Sequence, residues 1–220
     1  MAHDDGGPAG NDHYFTADPA SEADVRFRDV TLAGRQVRVV TAGGIFSPDG
    51  IDKGTALLLK HLPLPPVSGT FLDLGCGWGP LALTMALQAP DAQIYAVDVN
   101  RRALDLMRRN ASALGCSGVG RSGIHVAEPD EVPAEAAFDL IWSNPAIRIG
   151  KAALHEMLLR WLPRLSPDGS AYLVVSKNLG ADSLQTWLSG QDPRWQVKRF
   201  ASDKGFRILR VHSPASNPAA

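Results

Sequence analysis

The chain has 220 residues, of which 45% are hydrophobic and 20% charged, with a formal net charge of −1. That length suits one domain with a sizeable core, and the balance argues against a disordered chain and against a globally basic nucleic-acid binder. No apolar run reaches bilayer length, and the N-terminus lacks the basic and apolar regions of a signal peptide, so a cytoplasmic protein is expected. Cys76 and Cys116 form neither a disulfide framework nor a metal-ligand spacing, and the six histidines make no metal constellation.

Residues 1–12 are polar and rich in Gly, Pro and Asp, and read as a tail. Residues 25–40 hold two alternating segments, VRFRDVTL and RQVRVV, joined by Ala33-Gly34: a hairpin. GGIFSPDGIDKGTALLLKHL then reads as a loop and an amphipathic helix starting near Gly54-Thr55, ended by Pro63, Pro65, Pro66 and Gly69. From residue 70, strands and helices alternate. An apolar run, Phe71-Leu72-Asp73-Leu74, enters the glycine turn Gly75-Cys76-Gly77-Trp78-Gly79, and Pro80 opens a helix at the position where a missing N–H is harmless. Residues 93–99 (QIYAVDV) form the next strand, followed by a helix over 101–114 that stops at Gly115. Shorter strands at 123–126 and Phe138–Ser143 follow, then a loop over 144–150 and a helix through Leu162. A strand at 170–176 comes after Pro167-Asp168-Gly169, then a helix over 183–188 and strands at 196–201 and Phe206–His212. The short turn DKG makes the last two strands a hairpin, so the final strand is antiparallel. The expected fold is Rossmann-like α/β: a doubly wound, mostly parallel seven-stranded sheet with an antiparallel last strand and an N-terminal β-hairpin. One domain is expected over 13–212, with 13–66 as hairpin and helix extension, 67–212 as core, and 213–220 as a tail.

Ligands in such sheets bind beyond the carboxyl ends of the strands. Three ends matter here: 73–79, Asp98-Val99-Asn100, and Ser143-Asn144-Pro145-Ala146-Ile147-Arg148. Gly75, Gly77 and Gly79 permit close backbone approach, and the helix start after Gly79 has a positive dipole end. Asp98 lies where an acid meets a ribose diol in nucleoside-binding sheets. The turn spacing is G-x-G-x-G, distinct from the dinucleotide fingerprint. The string D-L-G-C-G-x-G-P at 73–80 resembles the cofactor loop of class I S-adenosylmethionine-dependent methyltransferases.

The wider resemblance is to small-subunit ribosomal RNA guanine-N2 methyltransferases. HYF at 13–15, GIFSPDGIDKGT at 44–55, DLGCGWGP at 73–80, VDVN at 97–100, SNPAIRIGK at 143–151 and the LG and DSL around 179–184 match that family. It implies S-adenosylmethionine as cofactor, held by Asp73, Gly75, Cys76, Gly77, Gly79, Asp98, Val99, Glu128, Asn144, Phe46 and Thr55. The helix start suits the methionine carboxylate, and Glu128 or Asp130 flanks the adenine unless both are simply solvated loop acids. Cys76 otherwise only fills the turn, Thr55 otherwise only caps its helix, and Phe46 either covers the reaction site or belongs to a satellite core.

S-N-P-A resembles the N-P-P-x tetrapeptide of enzymes that methylate planar exocyclic amines. An Asn carbonyl accepts one N–H of such an amine and the Pro145 carbonyl the other, turning the nitrogen lone pair toward the methyl group. Asn144 and Pro145 are thus the candidate catalytic residues. Asn144, Ala146, Arg148 and Phe46 are the candidate substrate contacts, and Lys151 could add a phosphate contact. Ala146 replaces the family's usual second proline, loosening the loop by one φ restraint. The implied partner is RNA, as small-subunit ribosomal RNA or the small ribosomal subunit. The available basic clusters are Arg26, Arg28, Arg35 and Arg38; Arg101, Arg102, Arg108 and Arg109; and Lys198, Arg199, Lys204, Arg207 and Arg210. Two other readings stay open: methylation of a metabolite or a protein glutamine, and a cofactor- or RNA-binding module without turnover.

Overall fold

The computed structural model describes residues 25–118, 122–145 and 150–215. Strands β1 (Val25–Leu32) and β2 (Arg35–Ala42) pair antiparallel as a separate two-stranded sheet, in register from Val25 opposite Ala42 to Leu32 opposite Arg35. The two turn residues, Ala33 and Gly34, both have positive φ (49° and 73°), the geometry that matches the twist of a two-residue hairpin. β2 runs two residues beyond the expected Val40. Leu32, Val39 and Ala42 are buried in the main core, which anchors the hairpin to the rest of the molecule.

Helix α1 (Lys53–His61) follows and is capped by Asp52, so it begins one residue before the expected Gly54-Thr55 start. Then come β3 (Thr70–Leu74), α2 (Pro80–Gln88), β4 (Gln93–Val97), α3 (Arg101–Ala113), β5 (Gly123–Ala127) and β6 (Phe138–Ser143). The chain ends with α4 (Lys151–Trp161), β7 (Leu165–Ser176), α5 (Ala181–Ser189), β8 (Gln196–Asp203) and β9 (Phe206–His212). The sheet order is β5-β4-β3-β6-β7-β9-β8. Strands β3 to β7 are parallel, and β9 is antiparallel to both of its neighbours, as expected.

Alternation along the strands divides the core in two. Phe71, Ile94, Ala96, Leu140, Trp142 and Val174 face α1, α2, α3 and the hairpin. Leu72, Leu74, Val97, Ile141, Leu173 and Leu209 face α4 and α5. Each large apolar side chain so buried contributes roughly 2 kcal/mol. Trp142 and Trp161 are core, as expected (2% and 1% exposed).

β7 departs from expectation by starting at Leu165, not Ser170. Leu165 pairs with Phe138 and Ser170 with Leu140, and the residues between form a bulge in which Asp168 has φ 64°. A Cβ at Gly169 would lie 2.7 Å from the Phe138 carbonyl oxygen, so glycine lets the bulged strand stay against β6. Residues 213–215, expected as tail, bond to this bulge. The Ser213 N–H donates to the Gly169 carbonyl, and the Ala215 N–H to Asp168 Oδ1.

Chain order runs outward from β3 to β4 and β5, then returns to place β6 on the other side of β3. The switch point therefore lies between the ends of β3 and β6, where the Ser143 hydroxyl donates to the Leu74 carbonyl at 2.7 Å. The glycine turn and Asn144 emerge there side by side.

Candidate active site

The glycine turn is pinned to the neighbouring strand. Gly75 and Cys76 N–H groups both donate to the Val97 carbonyl, at 2.8 and 3.0 Å, and the Gly77 N–H donates to Asp98 Oδ2 at 2.9 Å. Gly75 and Gly77 have positive φ (76° and 56°), and a Cβ on either would meet nothing within 4 Å, so both open onto the cleft. Gly79 differs: a Cβ there would strike Met107 Sδ at 1.9 Å, so its role is the packing of α2 on α3.

Asp73 lies beneath the start of α2, fully buried, with Oδ2 accepting from the Ala82 N–H at 2.9 Å. Its Oδ1 has no partner among the described residues. Burial pushes its carboxyl up to about 7, with the nearby Asp98 charge adding to the effect. The helix end expected to receive an anion is thus already met by a carboxylate. Asp98 is likewise raised by desolvation, although the N–H groups of Asn100 and Gly77 donate to it. Beside it, Val99 is 64% exposed and presents an apolar surface at the end of β4.

The loop over 43–52 crosses this cleft. Asn100 Nδ2 donates to the Gly44 carbonyl (3.1 Å), and Arg102 Nη1 to the Gly43 carbonyl (2.8 Å), so α3 holds the loop's first turn. At its other end Asp52 caps α1, accepting from the Gly54 and Thr55 N–H groups. The same carboxylate accepts from Asn144 Nδ2, 3.1 Å from each of its oxygens, and Thr55 Oγ1 accepts from that nitrogen at 3.0 Å. An ionised carboxylate can only accept, so the Asn144 amide is oriented with nitrogen toward Asp52 and carbonyl oxygen away from it.

The structure brings Phe46, Thr55, Asp73, Gly75, Cys76, Gly77 and Asn144 around one cleft, together with Ser47, Gly50, Asp52, Trp78, Pro80 and Leu81. Its enclosed space is only about 20 Å³, room for about one water. Cys76 is buried and its thiol is pushed well above the usual range by desolvation, so it is no nucleophile. Glu128, just past the end of β5, accepts from Arg101 Nε at 2.9 Å and shares a reciprocal cap with Glu131; like Asp98 and Val99, it lies beyond the residues that line this cleft. Asp130 pairs with Arg160. Pro145 is buried at the end of β6, and Ala146 and Arg148 lie outside the described residues. Asp52 belongs to the segment at 44–55 that matches the family and is expected to fold over the cofactor, but the sequence assigns no contact to it. Asp before an apolar helix signals a cap, but its second partner is 92 positions away. Among the described residues no group of three or more His, Cys, Asp or Glu is placed to hold a metal, and no helix is long and apolar enough to cross a membrane.

Comparison with known proteins agrees with this architecture. The family model for the methyltransferase small domain matches residues 36–210. An uncharacterised protein of Bacillus subtilis, YbxB, is 30% identical over 204 residues, covering 91% of this chain and 98% of that protein. Ribosomal RNA small subunit methyltransferase C of Pseudomonas entomophila is 34% identical over 204 residues, covering 91% of this chain and 58% of its own length. Among solved structures, the T. thermophilus 16S rRNA N2 G1207 methyltransferase, in complex with AdoMet and guanosine, superposes with a TM-score of 0.71 at 22% identity. That match covers 89% of this chain and 52% of the other. The chain therefore spans little more than half the length of these two ribosomal RNA methyltransferases. On the match over residues 36–210, the chain belongs to the methyltransferase small domain family.

Proposed function

We propose that this methyltransferase uses S-adenosylmethionine to methylate the exocyclic N2 of a guanine in small-subunit ribosomal RNA. The observation that carries this reading is the Asn144 amide. Its nitrogen is committed to Asp52 and Thr55, so its carbonyl is the group left to accept an N–H from a substrate amine at the switch point. The ribosomal RNA methyltransferases among its relatives, and the guanosine in the T. thermophilus complex, support the substrate class.

The cleft's residues fit the cofactor. Gly75 and Gly77 leave its floor open to a ligand. Asp73 Oδ1 is a buried acceptor without a partner, suited to the ammonium of a methionine moiety and unsuited to its carboxylate. Asp98 would take the ribose hydroxyls alongside its backbone donors, with Val99 against the base. When bound, the cofactor supplies an electrophilic methyl group. The protein then has no strong base to provide: Asn144 and the Pro145 carbonyl hold the amine, and the amine proton leaves to solvent after transfer. Phe46, 44% exposed on loop 43–52, would cover the reacting groups or stack on the base.

The test is labelled methyl transfer with the Asn144→Ala protein. Turnover should fall by about 10²-fold or more, while cofactor affinity measured by calorimetry stays near wild type. Full turnover would remove Asn144 from the reaction.

A further inference from the structure

We infer that Asp52 and Thr55 are positioning residues that set the orientation of the Asn144 amide; this rests on Asn144 being the amine acceptor. An asparagine presents either a carbonyl or an NH2 to its substrate, and rotation by half a turn about the last bond exchanges them with little change in shape. Only the carbonyl orientation accepts an amine N–H. The flipped form presents donors to donors. Nothing within Asn144 itself selects between the two.

The selection is built from the start of α1. Both Asp52 oxygens lie 3.1 Å from Asn144 Nδ2, and Thr55 Oγ1 lies 3.0 Å from it, so two side chains converge on one nitrogen. Thr55 is 3% exposed, and Asp52 and Asn144 are half-buried. Gly54 lets the groups come this close: a Cβ there would sit 3.1 Å from Asp52 Oδ1 and 3.3 Å from Asn144 Nδ2. Asp52 is itself fixed by the N–H groups of Gly54 and Thr55. A carboxylate with donors from Gly54, Thr55 and Asn144 has its lone pairs engaged, which favours a positioning role over that of a general base. The arrangement also places the amide under the control of loop 43–52, because Asp52 is where that loop becomes α1.

Three variants separate positioning from mere structure. Asp52→Asn keeps a good helix cap but turns an NH2 toward Asn144, which favours the flipped amide. Its kcat on small ribosomal subunits lacking their native methylations should fall by about 10²-fold, the scale of a misplaced reacting group. Its melting temperature should stay close to wild type. Thr55→Val should lower kcat, and Thr55→Ser, which restores the hydroxyl, should recover most of the loss. Independently of any substrate, the side-chain amide resonances of Asn144 in an NMR spectrum should move in Asp52→Asn. The inference is overturned if Asp52→Asn turns over within about twofold of wild type while Asn144→Ala is inactive, or if those resonances do not move. If Asn144→Ala is itself active, the amine-acceptor reading fails, and the resonances alone decide whether Asp52 orients the amide.

Discussion

Asp73 is a site residue whose acidity the fold strongly alters. Its carboxyl is raised to about 7 by burial, so the folded protein holds a proton there that the unfolded chain releases near pH 4. The folded state binds more protons between those values, and stability contributed by this site falls as pH rises from about 4 to 7. Above pH 7 the full penalty of a buried, half-partnered carboxylate is present, on the order of a few kcal/mol. Asp73→Asn should therefore melt higher than wild type at pH 8 and show no such gain at pH 4, read by thermal denaturation at both. The same group makes cofactor binding pH-dependent. A cofactor ammonium beside Asp73 favours its ionised form, so affinity should strengthen from pH 5 to 7 with proton release, as calorimetry in buffers of different ionisation enthalpy would show. Asp73→Asn should flatten that dependence.

At the scale of elements, one buried side chain adds hydrogen bonds to the apolar anchor that Leu32, Val39 and Ala42 give the hairpin. Asn110 of α3 accepts from the Val40 N–H at 2.7 Å, donates to the Val40 carbonyl at 3.0 Å, and donates to the Trp78 carbonyl at 2.9 Å. It thus pairs the free edge of β2 and ties it to the glycine turn. Asn110→Ala leaves three backbone groups without their partner, the Trp78 carbonyl in a buried bond and the two Val40 groups in part-buried ones, and should destabilise the protein by roughly 2 kcal/mol, measurable by urea denaturation, with faster hydrogen exchange in β1 and β2. Strand and helix placement was legible wherever alternation or a turn signal marked it, as in β1, β3 and the β8–β9 hairpin. The start of β7 was not, because Asp168-Gly169 has the composition of a turn and yet continues the strand as a bulge. The glycine turn and Asn144 could be read because their residue types follow from the chemistry. Asp52 could be read only as part of the matching segment at 44–55, without a role: its bond to Asn144 joins residues far apart in the chain, and periodicity holds no information on that pairing.

Across the whole molecule, seven of the thirteen basic residues suggested for RNA contact pair with carboxylates of the same chain. Arg26 and Arg28 pair with Asp49, Arg38 with Asp29, Arg101 with Glu128, Arg109 with Asp105, and Arg199 and Arg207 with Asp182. Exposed pairs of this kind stabilise little, but they reduce the positive field available to phosphates. Binding to bare RNA should accordingly have a shallow salt dependence, with a slope of log affinity against log salt of about −3, the release of only a few counterions. A filter-binding series in increasing salt would show it, and a slope near −8 would mean that these pairs open on the RNA. The reaction itself is tested most directly by its product. Small ribosomal subunits lacking native methylations, incubated with the protein and methyl-labelled S-adenosylmethionine, should yield labelled N2-methylguanosine on digestion and mass spectrometry. Label in any other nucleoside, or none in RNA while cofactor binding is intact, would contradict the account.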